Sequence, residues 1–313
     1  MEVGAGVFTC RSRQLVVALG YAGDVNGKDI ERVGVIGCGL MGSGIAEVCA
    51  RHERQVVVVE ADAASAERGR TKVLKSLETA AARGKMTSED HEKAVKNLEF
   101  TCDWDAMADR DLVIEAVMED PVVKHDAFVA LNKIVQSPDA ILASNTSSIP
   151  IMKLAIATDR PANVIGLHFF NPVPVLPLVE LVPSLMTSPE TTAMAASFAT
   201  DVLGKNVIHS KDRAGFVVNA LLIPYLLSAI RMLESGFATA EDIDAGMMHG
   251  CAHPMGPLAL ADLIGLDTTM AVADSMYAEF KEQLYAPPPL LSRMVEARLL
   301  GRKTGRGFHS YNR

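Results

Sequence analysis

The segment VGVIGCGLMGSGIAEVCAR, residues 33–51, decides the fold class of this chain. It starts with a short apolar run, continues through the glycine pattern of residues 37–42, and ends with apolar residues at helical spacing. A second apolar run, residues 55–59, follows and leads directly into Glu60. A glycine pattern between a strand and a helix, with an acidic residue closing the next strand, is typical of a dinucleotide-binding βαβ unit.

The glycine loop has a separate physical role for each glycine. Gly37 permits a tight turn, Gly39 lets the backbone approach a pyrophosphate, and Gly42 lets helix and strand pack closely. The helix that follows offers unpaired N–H groups and the positive end of its dipole to phosphates. The loop residues Leu40 and Met41 complete this predicted set of cofactor contacts.

Glu60 predicts which dinucleotide is bound. Its carboxylate can accept hydrogen bonds from the adenosine ribose and would repel a 2′-phosphate. The sequence therefore favours NAD over NADP. Arg68 lies close enough in the sequence to keep an NADP-preferring enzyme open as the alternative.

Strands and helices alternate through the N-terminal two thirds of the chain. Further apolar runs predict strands at residues 111–117, 140–144 and 164–170. Helical patterns occupy residues 63–82, 87–97 and 121–136. Alternation of this kind predicts a Rossmann-type, doubly wound, mostly parallel sheet, here with a helical hairpin inserted before the strand at 111–117.

Three regions are predicted from this organisation. Residues 1–30 form an N-terminal extension without an assigned role, residues 31–212 the dinucleotide-binding α/β domain, and residues 213–313 an all-helical domain. The apolar stretch Ala214–Ile230 predicts a buried helix at the start of the last region. Its composition also predicts a dimer surface there.

The charge of the chain is unevenly distributed. The formal net charge of −8 argues against nucleic acid or an anionic membrane as a partner. The hairpin nevertheless concentrates positive charge, through Arg68, Arg70, Lys72, Lys75, Arg83 and Lys85. Such a patch would suit a polyphosphate substrate, although a solvated helix face is the commoner reason for a run of charges.

The segment GLHFFNPVPVLPLVELV, residues 166–182, carries the predicted chemistry. Two apolar strands flank a proline-rich connection, and each strand contains one ionisable residue, His168 in the first and Glu180 in the second. If the strands lie side by side, the carboxylate can fix the tautomer of the imidazole and stabilise the imidazolium. A dehydrogenase needs such a base to accept the hydroxyl proton of its substrate.

With these motifs, the sequence strongly resembles the L-3-hydroxyacyl-CoA dehydrogenase family. The resemblance covers residues 31–308 and runs through seven motifs: GCGLMGSGIA (37–46), DLVIEAVMED (111–120), ASNTSSIPI (143–151), GLHFFNPVPVLPLVELV (166–182), DRAGFVVNALLIPYL (212–226), HPMGPLALADLIGLDT (253–268) and GRKTGRGF (301–308). The length of the chain fits the monofunctional 3-hydroxybutyryl-CoA dehydrogenase type.

The resemblance implies roles for further residues. Ser147 and Asn219 should hydrogen-bond the 3-oxygen of the substrate beside the catalytic His168 and Glu180. Further contacts to the NAD cofactor are implied for Glu119, Lys124, Asn171 and Lys303. Ser76 and Arg83 fall where the family binds coenzyme A. The resemblance also implies an acyl-CoA substrate, a homodimer formed through the helical domain, and a place in fatty acid β-oxidation or butanoate metabolism.

Three positions depart from the usual pattern of the family. Arg83 stands where many members have Lys, which keeps the charge but changes the geometry of phosphate binding. His309 replaces a more usual Tyr, and Ala220 replaces an Arg that some members carry. None of these departures affects His168 or Glu180.

Other classes of protein would carry different residues at these positions. A 3-hydroxyisobutyrate-type dehydrogenase would use a catalytic lysine and lack the His–Glu segment, and a non-catalytic relative would tolerate the loss of His168 or Glu180. The spacing of His249, Cys251 and His253 does not favour a metal site, because alternate positions do not share a helix face. No activating partner is evident for Cys251 as a nucleophile.

The cellular setting is predicted from the cysteines and the hydropathy. The five cysteines are scattered and form no CxxC pair, as expected for reduced thiols in the cytoplasm. The most apolar stretch, Ala214–Ile230, is interrupted by Asn219 and Pro224, so no membrane-spanning segment is predicted.

Overall fold

A computed structural model describes residues 26–311 of the chain. Most of the N-terminal extension predicted at residues 1–30, together with Cys10, lies outside the described residues. The described chain contains eight strands: β1 (Arg32–Ile36), β2 (Gln55–Val59), β3 (Leu98–Thr101), β4 (Leu112–Glu115), β5 (Ile141–Ser144), β6 (Val164–Phe169), β7 (Leu178–Pro183) and β8 (Asn206–His209).

The eight strands form one sheet in the order β3-β2-β1-β4-β5-β6-β7-β8. The first six strands in this order are parallel, β7 is antiparallel to β6, and β8 is parallel to β7. The order 3-2-1-4-5-6 is that of a Rossmann sheet, in which the strand order reverses between the parallel neighbours β1 and β4. In such sheets, ligands bind beyond the carboxyl ends of the strands at this point.

Six helices accompany the sheet: α1 (Leu40–Arg51), α2 (Ala63–Ala82), α3 (Ser88–Lys96), α4 (Pro121–Ile134), α5 (Ile151–Ala155) and α6 (Pro189–Ser197). Five helices follow the last strand: α7 (Val218–Glu234), α8 (Ala240–Gly250), α9 (Pro257–Ile264), α10 (Leu266–Phe280) and α11 (Pro289–Glu296). The predicted fold class, a mostly parallel α/β sheet with a helical C-terminal region, is therefore confirmed.

Apolar side chains form three buried clusters. One cluster packs α1 and α2 against one face of the sheet, and Leu77 and Ile45 are among its fully buried members. A second cluster packs α4 and α5 against the other face, around Phe128. The third lies among the C-terminal helices and includes Leu226 and Leu258. Each face of the sheet is thus covered, as the apolar strands require.

Two strands and one helix boundary differ from the sequence predictions. The edge strands β3 and β8 were not expected, because each is short and only partly buried and so lacks the apolar run that marks an inner strand. The helix predicted from Ala214 begins at Val218 instead. Gly215 and Phe216 have φ angles of 84° and 48°, and this left-handed backbone delays the start of the helix.

A helix that crosses a lipid bilayer needs about 20 consecutive, mostly apolar residues. None of the helices within residues 26–311 is both long enough and apolar enough to do so. This includes α7, which has 17 residues and contains Pro224.

Candidate active site

His168 and Glu180 lie directly opposite each other on the antiparallel strands β6 and β7. The distance from Nδ1 of His168 to Oε2 of Glu180 is 2.6 Å, and both side chains are buried. The structure thus brings together the two residues that the sequence placed on separate strands. A carboxylate accepting from Nδ1–H leaves Nε2 as the free acceptor, so the ring is fixed in the tautomer suited to a base.

The second oxygen of Glu180 reaches the C-terminal helices. Oε1 accepts hydrogen bonds from the backbone amides of Val217, at 3.0 Å, and Val218, at 2.9 Å. These amides belong to the start of α7, where backbone N–H groups have no partner within the helix. Glu180 therefore uses one oxygen for the imidazole and the other for the helix N-terminus.

Ser147 lies in the turn that follows β5 and faces the free side of the imidazole. Its Oγ is 3.1 Å from Nε2 of His168. Asn219, the second residue of α7, is half-buried and follows the two amides that Glu180 binds. Ser147, His168 and Glu180 thus form one hydrogen-bonded series, and Asn219 lies one residue from the helix start to which Glu180 is bonded.

Two aromatic rings flank the imidazole of His168. The centroid of Phe170 is 4.6 Å from that of His168, and the centroid of Phe216 is 5.5 Å away. Phe216 comes from the segment before α7, so this side of the imidazole is covered by the C-terminal part of the chain. Asn171 follows Phe170 directly and is exposed at the start of the proline-rich connection.

The glycine loop has the geometry that a dinucleotide requires. Gly37 has a φ angle of 88°, and a Cβ atom on Gly42 would lie 1.9 Å from the carbonyl oxygen of Gly37. A Cβ atom on Gly39 would meet no atom within 4 Å, so its backbone faces open space. Leu40 and Met41 form the first turn of α1, whose N-terminus is directed at this space. The loop therefore fits a pyrophosphate.

Glu60 lies at the end of β2 and contacts the glycine loop. Its Oε1 accepts a hydrogen bond of 2.5 Å from the amide of Cys38, and its Oε2 lies 3.3 Å from the amide of Ala61. The carboxylate is thus held beside the loop. Arg68, the residue that could favour NADP, donates a 2.7 Å hydrogen bond to Ser65.

Glu119 binds the turn that carries Ser147. Its Oε1 accepts from the amides of Ser147, at 2.9 Å, and Ser148, at 3.1 Å, and from the hydroxyl of Thr146. Burial raises the pKa of Glu119, but the Lys124 ammonium and these hydrogen bonds outweigh it, so the pKa lies below its ordinary value. Glu119 is therefore held as a carboxylate.

Two residues predicted to contact the cofactor, Lys124 and Lys303, form ion pairs with carboxylates of the protein. Lys124 is only 1% exposed, and its Nζ lies 2.6 Å from Oε1 of Glu115 and 3.3 Å from Oε2 of Glu119. Nζ of Lys303 contacts Asp267 at 2.5 Å. A direct contact of either lysine with NAD stays a prediction.

A small cavity of about 150 Å³ lies between α1, α2 and the proline-rich connection. Ser76, Lys72 and Asn171 are among the residues that line it. Burial lowers the pKa of Lys72, whose Nζ donates to the carbonyl of Gly39 at 2.8 Å. Arg83 caps the carboxyl end of α2 and is exposed. Contact of Ser76 and Arg83 with coenzyme A stays a prediction.

The sequence interpretation missed two residues that organise this site. Glu115 was not singled out, although it ends an apolar strand just as Glu180 interrupts one, and that pattern could have revealed it. Phe216 gave no such indication, because its place beside His168 depends on the left-handed backbone before α7. Within residues 26–311, no group of three or more His, Cys, Asp or Glu residues could hold a metal ion.

Comparison with known proteins gives matches across the described chain. The family model described as "3-hydroxyacyl-CoA dehydrogenase, NAD binding domain" matches residues 32–213, and "3-hydroxyacyl-CoA dehydrogenase, C-terminal domain" matches residues 215–311. The 3-hydroxybutyryl-CoA dehydrogenase of Mycobacterium tuberculosis is 58% identical over 282 residues, which are 90% of this chain and 99% of that protein.

Two further relatives extend the comparison. The mitochondrial hydroxyacyl-coenzyme A dehydrogenase of Homo sapiens is 40% identical over 90% of this chain and 91% of its own. The crystal structure of (S)-3-hydroxybutyryl-CoA dehydrogenase from Ralstonia eutropha superposes with a TM-score of 0.85 at 44% identity, covering 91% of this chain and all of the other. With the two family models matching nearly the whole described length, this chain belongs to the 3-hydroxyacyl-CoA dehydrogenase family.

Proposed function

We propose that this chain is an NAD-dependent dehydrogenase that interconverts short-chain (S)-3-hydroxyacyl-CoA and 3-ketoacyl-CoA, with 3-hydroxybutyryl-CoA and acetoacetyl-CoA as its substrates. The observation that carries the proposal is the series Ser147–His168–Glu180, which lies at the carboxyl ends of the strands of a Rossmann sheet. The names of the relatives support the same substrate class.

In the oxidative direction, Nε2 of His168 accepts the proton of the 3-hydroxyl group. Glu180 holds the ring through Nδ1 and stabilises the imidazolium that forms. Ser147 and Asn219 hold the substrate oxygen close to Nε2. When bound, NAD supplies the hydride acceptor. In the reductive direction, the imidazolium returns its proton to the oxygen at C3.

The glycine loop and Glu60 are proposed to hold NAD. The open space at Gly39 and the N-terminus of α1 suit the pyrophosphate, while the carboxylate of Glu60 suits the ribose of an unphosphorylated dinucleotide. NADP remains the second candidate because Arg68 is close in sequence, but its side chain is hydrogen-bonded to Ser65 in the first turn of its own helix, α2. We place Asn171 beside the nicotinamide.

Coenzyme A is proposed to bind along α2. Ser76 lines the small cavity next to α1, and Arg83 offers a cation for phosphate at the end of the same helix. The match of the chain to an acyl-CoA enzyme family supports this assignment.

The boundary between the two domains and the oligomeric state of the protein are also proposals. We place the boundary between the cofactor domain and the helical domain at residue 212, which agrees with a separate buried cluster that begins at Ala214. We propose a homodimer through the helical domain, where Leu221 and Phe237 are 74% and 79% exposed. The free thiols of the four described cysteines support a cytoplasmic location.

Steady-state kinetics test the proposed reaction. Purified enzyme is assayed with acetoacetyl-CoA and longer 3-ketoacyl-CoAs, using NADH and NADPH in parallel. We expect the highest kcat/KM for acetoacetyl-CoA with NADH. Turnover confined to long acyl chains would overturn the substrate assignment, and a preference for NADPH would favour the second candidate.

A further inference from the structure

The proposed reaction leaves unexplained a buried ion pair next to the site. Glu115 is the last residue of β4 and Lys124 is the fourth residue of α4, and their side chains are 0% and 1% exposed. Ion pairs taken out of water lose several kcal/mol of hydration per charge, so they rarely add net stability over apolar residues. A purely stabilising role therefore accounts poorly for these two charges.

Every oxygen of Glu115 has a defined partner. Oε1 accepts from Nζ of Lys124 at 2.6 Å and from the amide of Val117 at 2.7 Å. Oε2 accepts from the hydroxyl of Ser144 at 2.6 Å, and Oγ of Ser144 accepts in turn from the amide of Thr146. Glu115 thus connects the ends of β4 and β5 to α4 and fixes the position of the ammonium.

The ammonium of Lys124 continues this series to Glu119. Nζ lies 3.3 Å from Oε2 of Glu119, which leaves Oε1 free to accept from the amides of Ser147 and Ser148. The turn that carries Ser147 is therefore hydrogen-bonded to the carboxylate of Glu119, and the buried ammonium of Lys124 fixes the position of that carboxylate. The last contact is the 3.1 Å approach of Ser147 Oγ to Nε2 of His168.

Building on the proposed function, we propose that Glu115 and Lys124 are positioning residues for the reaction, acting through Glu119 to hold the Ser147 hydroxyl at the reacting oxygen. We name Glu115, Lys124 and Glu119 the carboxylate–lysine cluster. Its effect falls on the geometry of the transition state, because small displacements of a hydroxyl near the reacting atoms strongly affect the rate.

The proposal differs in its consequences from a direct contact between Lys124 and NAD. If Lys124 bound the cofactor, its loss would raise the KM for NADH. If it positions Ser147, its loss lowers kcat and leaves the KM for NADH nearly unchanged. These two outcomes separate the interpretations in one assay.

Two variants make the test independent of folding. Lys124→Met leaves Glu115 buried without its cation and is expected to destabilise the fold. The double variant Glu115→Gln/Lys124→Met removes both charges, while the side-chain oxygen of Gln can accept from the amide of Val117 and its NH2 group can donate to Oγ of Ser144. We expect the double variant to fold, with a kcat about tenfold lower and a KM for NADH within about twofold of wild type.

The control is an ion pair at the opposite end of β4. Arg32 and Asp111 meet at 2.7 Å where β1 and β4 begin, far along the strands from their carboxyl ends. The variant Arg32→Met/Asp111→Asn is expected to keep the wild-type kcat. A wild-type kcat in the cluster double variant, or an equal loss in the control, would overturn the proposal.

A second measurement does not depend on turnover. The Nε2 resonance of His168 is observed in protein labelled with 15N-histidine and identified by its absence in His168→Gln. We expect it to shift in the cluster double variant and not in the control, and an unchanged resonance would count against the proposal. If wild-type enzyme failed to reduce acetoacetyl-CoA, the proposed function would fall, but this spectrum would still decide whether the cluster positions Ser147.

Discussion

Glu180 and Val218 are joined by a 2.9 Å hydrogen bond, from the first amide of α7 to Oε1 of the carboxylate whose other oxygen holds His168. One buried side chain therefore serves both the catalytic base and the attachment of the C-terminal helices to the sheet. Changes at Glu180 should affect the rate and the stability of the enzyme together, which few other positions would do.

Glu180→Gln tests this double role. An amide offers one acceptor atom where the carboxylate offers two, so either Nδ1–H of His168 or the amides of Val217 and Val218 lose their partner. We expect a loss of about 1–3 kcal/mol in the free energy of unfolding, because a buried donor is left unpaired. We also expect kcat to fall by about 100-fold or more, as for loss of an oriented base. Denaturant unfolding and steady-state kinetics measure both, and an unchanged unfolding free energy would contradict the double role.

His168→Gln removes the base and keeps a polar side chain of similar size. We expect kcat to decrease by about 10²–10⁴-fold, the range for general acid–base catalysis, with nearly unchanged binding of NADH by fluorescence titration. The control is His52→Gln at the carboxyl end of α1, where the ring contacts the carbonyl of Val48. Near-normal turnover of His168→Gln would refute the proposed mechanism.

Glu60→Ala tests cofactor selection. The change removes the carboxylate beside the glycine loop and the acceptor for the amide of Cys38. We expect the ratio of kcat/KM for NADH to that for NADPH to fall by about tenfold, equivalent to about 1.4 kcal/mol of differential binding. Asp62→Ala, which changes a carboxylate that caps α2, is the control. A ratio equal to that of wild type would show that Glu60 does not select the cofactor.

Arg83→Gln tests the coenzyme A assignment. The variant removes a cation at the end of α2 and keeps a side chain of comparable length. We expect the KM for acetoacetyl-CoA to rise several-fold while the KM for an acetoacetyl-pantetheine analogue, which lacks the nucleotide phosphates, stays constant. Lys85→Gln, just beyond the helix, is the control. Equal changes for both substrates would leave Arg83 as part of a solvated surface.

The lowered pKa of Glu119 predicts a pH dependence of stability. Since the pKa of Glu119 in the folded state lies below the ordinary value of 4.5 for a glutamate, the ionised form stabilises the fold, fully so above that value. This contribution is lost as the pH falls from about 4.5 through the lower folded-state pKa. The difference in unfolding free energy between wild type and Glu119→Gln should therefore shrink over this range. A difference that does not change with pH would contradict the assignment of Glu119 as a carboxylate.

Much of the fold could be predicted because it rests on local patterns. The apolar runs of the inner strands and the glycine loop report burial and turn geometry within a few residues, and these predictions were confirmed. The edge strands β3 and β8 escaped detection because a half-buried strand carries no such run. The delayed start of α7 depends on the backbone of Gly215 and Phe216, and tertiary contacts select that conformation.

The pairing of His168 with Glu180 was predictable because each side chain stands alone in an apolar strand. The number of hydrogen-bond partners of each carboxylate could not be predicted. The link from Glu180 to α7 joins residues 37 apart in the sequence, and the burial of Lys124 between Glu115 and Glu119 depends on how α4 packs at the carboxyl end of β4. Such contacts depend on how the helices pack against the sheet, and the spacing of residues within a single strand or helix does not encode them.

The direct opposition of His168 and Glu180 on β6 and β7 also bears on which insertions and deletions the chain can tolerate. The connection between the two strands can change in length without separating the pair, because the ladder of main-chain hydrogen bonds fixes the pairing. A slip of a single residue in that ladder would turn Glu180 to the other face of the sheet and leave His168 without its carboxylate. In this enzyme the alignment of these two strands keeps the catalytic pair together.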